Sequence, residues 1–465
     1  MEEKKFLKDF KSGILWSSAG EIAIFLVSFF FNIVMARLLT PKDFGIIGIA
    51  TLVTQFANTI FSLGLAVALI QAKEVNKRQI STIFWINLFL SILAAITIYI
   101  SSREIAIYFN TPQVIKVLKV LSITFLMGGI SSIYESLLLK SMSFKKFNII
   151  IFISLFLSAI CGIVGVLLGF GYWGLVINIL MFPFFKMILY FKFVNWYPEF
   201  YLRPKEIGKL FNFGIYKVFY NIVNYFLRNG DNFVVGKYLG STTLGAYSLA
   251  FQISAIPGNK LKAIIGKVMF PLFSKIQDDP QGSKNYFYKI SKLTIFITFP
   301  LALFLSFESR WIVETLFGKK WILSAHILKF LAFVMIYRAF SSICEVLINS
   351  FGRSDIVFYL FTFEGIIFML SIYLASFKGV VFLSMIYAIL IIPLLLIKGI
   401  FVHRFIKFSI FYLIKIMGVP FLFSAILFYI SSKIDISLSI IFLGISFLFN
   451  MFYLKVNPIR FLKEE

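Results

Sequence analysis

The stretch Lys217-Val-Phe-Tyr-Asn221-Ile-Val-Asn224-Tyr-Phe-Leu-Arg228-Asn-Gly-Asp231 decides the fold. Its polar residues step by four, three, four and three. That is helical spacing, so Lys217, Asn221, Asn224, Arg228 and Asp231 share one face. The segment around them is otherwise apolar, with Ile215, Val218, Phe219, Ile222, Val223, Phe226 and Leu227. Such a helix in a membrane cannot turn its charged face to hydrocarbon, where an ionised group costs roughly 3 kcal/mol on insertion scales. The face must look into a bundle or a watery cavity.

Composition makes the membrane setting plain. The chain has 465 residues, 60% of them hydrophobic, with 60 Phe. Soluble domains run at about 45–50% apolar. A spanning helix needs about 20 apolar residues. About fourteen segments qualify: roughly 13–35, 45–70, 83–101, 115–139, 148–169, 172–193, 210–235, 243–271, 288–307, 325–349, 356–376, 379–402, 411–430 and 436–454. The chain reads as an all-α polytopic membrane protein with about fourteen transmembrane helices. The first run is too long for a signal-peptide core and reads as a retained span.

Other classes recede. Cys161 and Cys344 lie in apolar runs, so no disulfide framework is implied. With only His326 and His403, no metal site is expected. A P-loop and a Gly-x-Ser-x-Gly elbow are both missing. No cofactor is expected, and no extramembrane stretch is long enough for a catalytic domain, so an enzyme is not expected. The net charge is +24. Counting Lys and Arg loop by loop puts about 26 on one side of the membrane and about 12 on the other. That bias places both termini in the cytoplasm of a multi-pass cytoplasmic-membrane protein and favours anionic membrane lipids as partners. No folded soluble region exists to bind nucleic acid.

The chain also repeats itself. At an offset of 200 positions, Asn32, Val34, Leu39, Gly45 and Ala50 meet Asn232, Val234, Leu239, Gly245 and Ala250. Ser17, Glu21 and Ser28 meet Lys217, Asn221 and Arg228. At an offset of 210, Ser131-Ser132-Ile133-Tyr134-Glu135 meets Ser341-Ser342-Ile343-Cys344-Glu345. The repeat unit is about six helices, an even number, so the halves are parallel copies. The expected organisation is two pseudo-symmetric six-helix lobes, 1–195 and 210–403. A cytoplasmic connection, 196–209, joins them and contains Trp196, Pro198, Arg203 and Pro204. Two extra helices and a basic tail follow over 404–465.

Several constellations could carry chemistry. On the tenth span Arg338, Ser341 or Ser342, Glu345 and Asn349 share a face, and Glu135 holds the matching place in the fourth. A buried carboxylate suits a cation or proton site, or it simply pairs with a basic neighbour. Arg228 and Asp231 are spaced to pair, and Glu21 is a candidate partner for Lys217. In the eighth span Lys260 and Lys267 share a face, and Lys262 lies far around the helix from them. Amines there need anionic company, either a diphosphate or acidic sugar, or lipid phosphate reached by snorkelling. Glu364 and Lys186 stand as single charges in later spans, and such charges are more often helix–helix partners than ligands. The polar stripe of the seventh span is either a cavity lining or a seam between helices.

Ala36-Arg37-Leu38-Leu39-Thr40-Pro41-Lys42-Asp43-Phe44-Gly45 resembles the signature after the first span of bacterial polysaccharide flippases. So do Asp231-Asn-Phe-Val-Val-Gly236-Lys-Tyr-Leu239-Gly240, Leu244-Gly245-Ala-Tyr247-Ser-Leu-Ala250, Phe270-Pro271-Leu-Phe-Ser274-Lys-Ile-Gln277-Asp278 and Phe317-Gly318-Lys-Lys-Trp321. The chain resembles most the O-antigen-type (Wzx-like) flippases. Within them it resembles the colanic and teichuronic acid exporters of the multidrug/oligosaccharidyl-lipid/polysaccharide exporter superfamily. The resemblance implies two lobes around a basic cavity. It implies alternating access coupled to H+ or Na+, and undecaprenyl-diphosphate-linked oligosaccharide as the substrate partner. A polysaccharide polymerase or export machinery is a further partner. The substrate-cavity candidates are Lys217, Asn221, Asn224, Arg228, Asp231, Lys260, Lys267, Arg338 and Asn349. The ion-coupling candidates are Glu21, Glu135 and Glu345. The alternatives are a lipid II flippase or a drug or metabolite antiporter of the same superfamily. Charge-neutral replacement of Lys217, Arg228 and Arg338 is expected to abolish surface-glycan export at normal protein levels, read by glycan extraction and immunoblotting.

Overall fold

The computed structural model describes residues 2–62, 69–70, 75–203, 208–434 and 436–454. Side chains are described from residue 20 onward within these ranges, apart from 208–217, 219, 220, 264, 267, 410, 412, 413, 415, 431–434 and 436–438. The side chains of Lys217 and Lys267, Pro204 of the connection, and the basic tail therefore lie outside the described residues.

Among the described residues the secondary structure is helical. The first half comprises α1 (Glu2–Leu38), α2 (Pro41–Phe61), α3 (Lys77–Tyr108), α4 (Val114–Leu121), α5 (Ile123–Lys140), α6 (Phe144–Gly165), α7 (Trp173–Phe193) and α8 (Gly208–Val234). The second comprises α9 (Gly240–Lys275), α10 (Pro280–Phe307), α11 (Ser309–Leu316), α12 (Ile322–Leu331), α13 (Val334–Ser350), α14 (Ser354–Ser376), α15 (Val380–Ile406), α16 (Ile410–Ile434) and α17 (Ile436–Leu454). The sequence-predicted segments fall on these helices or on consecutive pairs, except that 45–70 extends beyond α2 and its residues 63–68 lie outside the described residues. Ten helical stretches among the described residues are long and apolar enough to cross a membrane. Helices α8 and α9, which carry the polar stripe and the lysines, are not among those ten, and the described apolar parts of α16 and α17 are shorter.

The family-like signature residues turn out to be helix punctuation. Thr40 caps α2: its hydroxyl accepts from the Asp43 N–H at 3.3 Å, and its own N–H donates to the Asp43 carboxylate at 2.9 Å. This reciprocal box satisfies two orphan backbone donors, and Pro41 at the first helical position needs none. Asn76 and Gln79 do the same for α3, at 2.8 and 3.1 Å. Asp279 caps α10 ahead of Pro280. In the second half the chain turns at Gly240, whose φ of 81° suits glycine.

By its contacts the chain divides into two compact units, Met1–Gly245 and Ala246–Glu465. In the first, α6 packs on α1 and α7, α5 on α3 and α7, and α8 on α2. Helix α8 falls within the first unit by these contacts. In the second, α10 packs on α13, α16 and α17, while α15 packs on α12, α13 and α14. The Ser439 hydroxyl donates to the Glu308 carboxylate at 2.5 Å and ties α17 to the end of α10.

The 200-residue repeat is visible as a contact inside the first unit. A Cβ on Gly45 would overlap the Ser241 carbonyl, and a Cβ on Gly245 would overlap the Pro41 carbonyl. Pro41 and Ser241 are themselves related by the same offset, so the crossing of α2 and the start of α9 is reciprocal, as in a two-fold contact. Backbones approach this closely only where both crossing residues lack a side chain. Gly45→Ala and Gly245→Ala are each expected to cost about 1–3 kcal/mol, read as a lowered midpoint of thermal unfolding in detergent. Gly266→Ala, where nothing lies within 4 Å of the added methyl, is the neutral control.

Candidate functional site: buried ion clusters in two matching places

Helix α13 lines up Tyr337, Ser341 and Glu345 at intervals of four, on one face. That face receives Lys398 from α15. The Lys398 side chain is only 3% exposed, and its ammonium lies 3.1 Å from Glu345 and 2.9 Å from Glu364 of α14. It also donates to the Ser341 hydroxyl. Tyr337 donates to the same Glu364 oxygen side at 2.9 Å, and its ring lies 5.4 Å from the Lys398 nitrogen. Glu345 accepts from Ser341 at 2.8 Å, and its second oxygen takes Lys262 of α9 at 3.0 Å. Four helices therefore meet at two carboxylates and two amines.

The first unit has a simpler counterpart. Glu135 of α5 accepts from Lys186 of α7 at 2.8 Å, with the Tyr190 hydroxyl at 3.5 Å. This pair is more open, with side chains 17% and 31% exposed. Glu135 and Glu345 stand at the 210-residue offset, and so do Pro183 and Pro393, which precede the two lysines. Lys186 follows its proline by three residues and Lys398 by five. The slip of two hides the match from a fixed-offset comparison. Lys398 was missed in the sequence for that reason, although Pro393 marked its neighbourhood.

The other predicted residues are distributed as follows. In the first unit Glu21 and Arg228 are exposed, and Asn221 and Asn224 are half-buried. The Asn224 side-chain oxygen is buried with no hydrogen-bond partner among the described groups. Asp231 is buried and accepts from the Asn232 backbone N–H at 2.8 Å. In the second unit Lys260 is exposed. Arg338 is half-buried, donates to Asn259 at 2.8 Å and lies 4.9 Å over the Phe251 ring. Asn349 is half-buried near the end of α13. Lys186 and Glu364 are members of ion pairs between helices. Lys262, set apart from Lys260 and Lys267 on the helix wheel, points to Glu345. The fixed periodicity of one helix cannot reveal partners supplied by another.

A polytopic helical membrane protein with paired charges inside its helices is the class these features define. The fold is that of the lipid II flippase MurJ, solved in an inward closed conformation. It matches with a TM-score of 0.74 at 15% identity, over 95% of this chain and 99% of MurJ. An outward-facing multidrug resistance MATE family transporter of the MOP superfamily matches with a TM-score of 0.55 at 14% identity, over 85% of this chain and 96% of that one. Residues 34–326 match the family described as "Polysaccharide biosynthesis protein", and the chain belongs to that family. The teichuronic acid biosynthesis protein TuaB of Bacillus subtilis (strain 168) is 28% identical over 76% of this chain and 73% of its own length. The lipopolysaccharide biosynthesis protein WzxC of Escherichia coli (strain K12) is 26% identical over 78% of this chain and 74% of its own.

Removing one partner of a buried pair strands the other charge, at a cost of about 3–5 kcal/mol. Lys398→Met is expected to lose stability on that scale in thermal unfolding. Lys186→Met, in the more solvated first-unit pair, is expected to lose clearly less.

Proposed function

We propose that this chain is a flippase. It translocates undecaprenyl-diphosphate-linked oligosaccharide repeat units from the inner to the outer leaflet of the cytoplasmic membrane, for surface polysaccharide synthesis. The observation that carries this reading is membership of the polysaccharide biosynthesis family on a fold shared with a lipid II flippase. Relatives named for teichuronic acid, lipopolysaccharide and succinoglycan biosynthesis support the substrate class.

The physical problem of such a substrate matches what the spans contain. A diphosphate cannot enter hydrocarbon without counter-charge. Lys217, Arg228, Lys260, Lys267 and Arg338 supply basic groups in α8, α9 and α13. Arg338 already offers a guanidinium beside the Asn259 amide, a pairing of charge and hydrogen-bonding group that suits phosphate next to sugar. Asn221, Asn224 and Asn349 supply amides for sugar hydroxyls, and the unpartnered Asn224 oxygen is a spare acceptor for one. The isoprenoid tail stays in lipid. In this reading the chain is a transporter and not an enzyme, has about fourteen spans and keeps both termini in the cytoplasm. A second reading, a lipid II flippase, is favoured by the MurJ fold match alone.

Deleting the chain from its host is expected to remove the surface polysaccharide and to accumulate lipid-linked repeat units, read by mass spectrometry of extracted lipids. Rescue of a lipid II flippase depletion, with surface polysaccharide unchanged, would instead support the second reading.

A further inference from the structure

We infer that the carboxylate pair Glu345 and Glu364 forms a monovalent-cation site that the chain fills with its own Lys398 ammonium, so that no free alkali cation binds there. The donor set is that of a cation cage. Two carboxylates from different helices lie 3.1 and 2.9 Å from one nitrogen. The Ser341 hydroxyl completes the contact, and the Tyr337 ring closes one side at 5.4 Å. Hard oxygens and an aromatic face are what a small cation or an ammonium prefers.

Burial separates this cluster from an ordinary surface ion pair. Lys398 and Glu364 are each 2% exposed. Water scarcely reaches Glu364, so its charge is answered by the Lys398 ammonium rather than by solvent, while Glu345, 22% exposed, is also met by Lys262. The second Glu364 oxygen, Oε1, is buried and has no hydrogen-bond partner among the described groups. The cage therefore holds more acceptor capacity than one ammonium uses, as expected where a cation is coordinated rather than singly paired. Lys262 does not fill this role. Its side chain is 43% exposed, and it meets Glu345 from α9 on the other carboxylate oxygen. The first unit makes the contrast. There Lys186 faces one carboxylate, Glu135, which is 31% exposed, and among the described residues no second acid pairs with Lys186.

The consequence for transport rests on the flippase reading. A carrier whose cation cage is permanently occupied by a tethered amine does not use sodium at that place. The Lys398 ammonium is then the cation whose contacts change as the unit moves, and the driving ion acts elsewhere or is a proton.

The cage itself is tested without transport. Thermal unfolding of the purified protein in detergent is followed as sodium chloride replaces choline chloride at constant ionic strength. The wild-type protein and Lys398→Arg are expected to show no saturable shift. Lys398→Ala empties the cage, and sodium or methylammonium is expected to raise its midpoint saturably by about 2 °C or more. The double variant Lys398→Ala/Glu364→Gln is expected to lose that response. A folded Lys398→Ala that answers to no alkali cation and no methylammonium overturns the inference. Should Lys398→Ala fail to fold, the wild-type titration decides. A saturable sodium shift in the wild type that Glu364→Gln removes overturns the inference, and its absence supports it. Loss or retention of glycan export on deleting the chain bears only on the flippase reading, so the two can fail separately.

Discussion

An ammonium held between two carboxylates is the constraint on which the second unit depends. Lys398 brings its charge into an interior that is otherwise apolar, and three helices must answer it. Helix α13 presents Ser341 and Glu345, α14 presents Glu364, and α9 adds Lys262 against the far oxygen of Glu345. Two opposite charges about 4 Å apart attract by roughly 4 kcal/mol at an effective dielectric of 20, while each ion loses several kcal/mol of hydration on burial. The net contribution to stability is small. The gain lies in register, since a helix that slid by one residue would strand a charge. Apolar packing, such as the cluster of Phe273, Phe287, Phe340 and Phe408, fills the space without choosing so sharply.

The internal repeat of the sequence sets matching residues at two contacts of the structure. The crossing of Gly45 and Gly245 is made by equivalent residues meeting one another, with Pro41 and Ser241 as their reciprocal partners. The Glu135–Lys186 pair and the Glu345–Lys398 pair likewise occupy corresponding helices. They differ in their surroundings: Glu364 and Lys262 join the Glu345–Lys398 pair, whereas the Glu135–Lys186 pair is more open to water.

Much of the helical organisation was legible in the sequence, because hydrocarbon imposes a length and a hydropathy that no propensity argument has to supply. The helix starts at Pro41 and Pro280 lie ahead of the segments read from hydropathy, 45–70 and 288–307, because Thr40 and Asp279 cap them and capping is local chemistry that hydropathy does not register. The polar face of α8 was readable from its period. Partners across helices were not. Glu364 and Lys186 looked isolated because their counter-charges lie 34 and 51 positions away in the chain, and Lys398 was hidden by a two-residue slip after Pro393. Lys262 was judged by its angle to neighbours on its own helix, although its partner is on α13. Periodicity shows which face a residue occupies and says nothing of what that face meets.

The chain belongs to the polysaccharide biosynthesis family and shares its fold with MurJ, and the function proposed for it is the passage of a lipid-linked glycan across the membrane. The most direct measurement is translocation by the purified chain alone. Proteoliposomes would be loaded with a fluorescent polyprenyl-diphosphate oligosaccharide, and the outer-leaflet fraction read with a membrane-impermeant glycosidase. The account predicts that lipid in the inner leaflet becomes accessible at a rate that rises with the amount of protein, and that a glycan-free polyprenyl phosphate does not compete fully. Accessibility no faster than in protein-free vesicles, with folded protein confirmed in the same membranes, would contradict it.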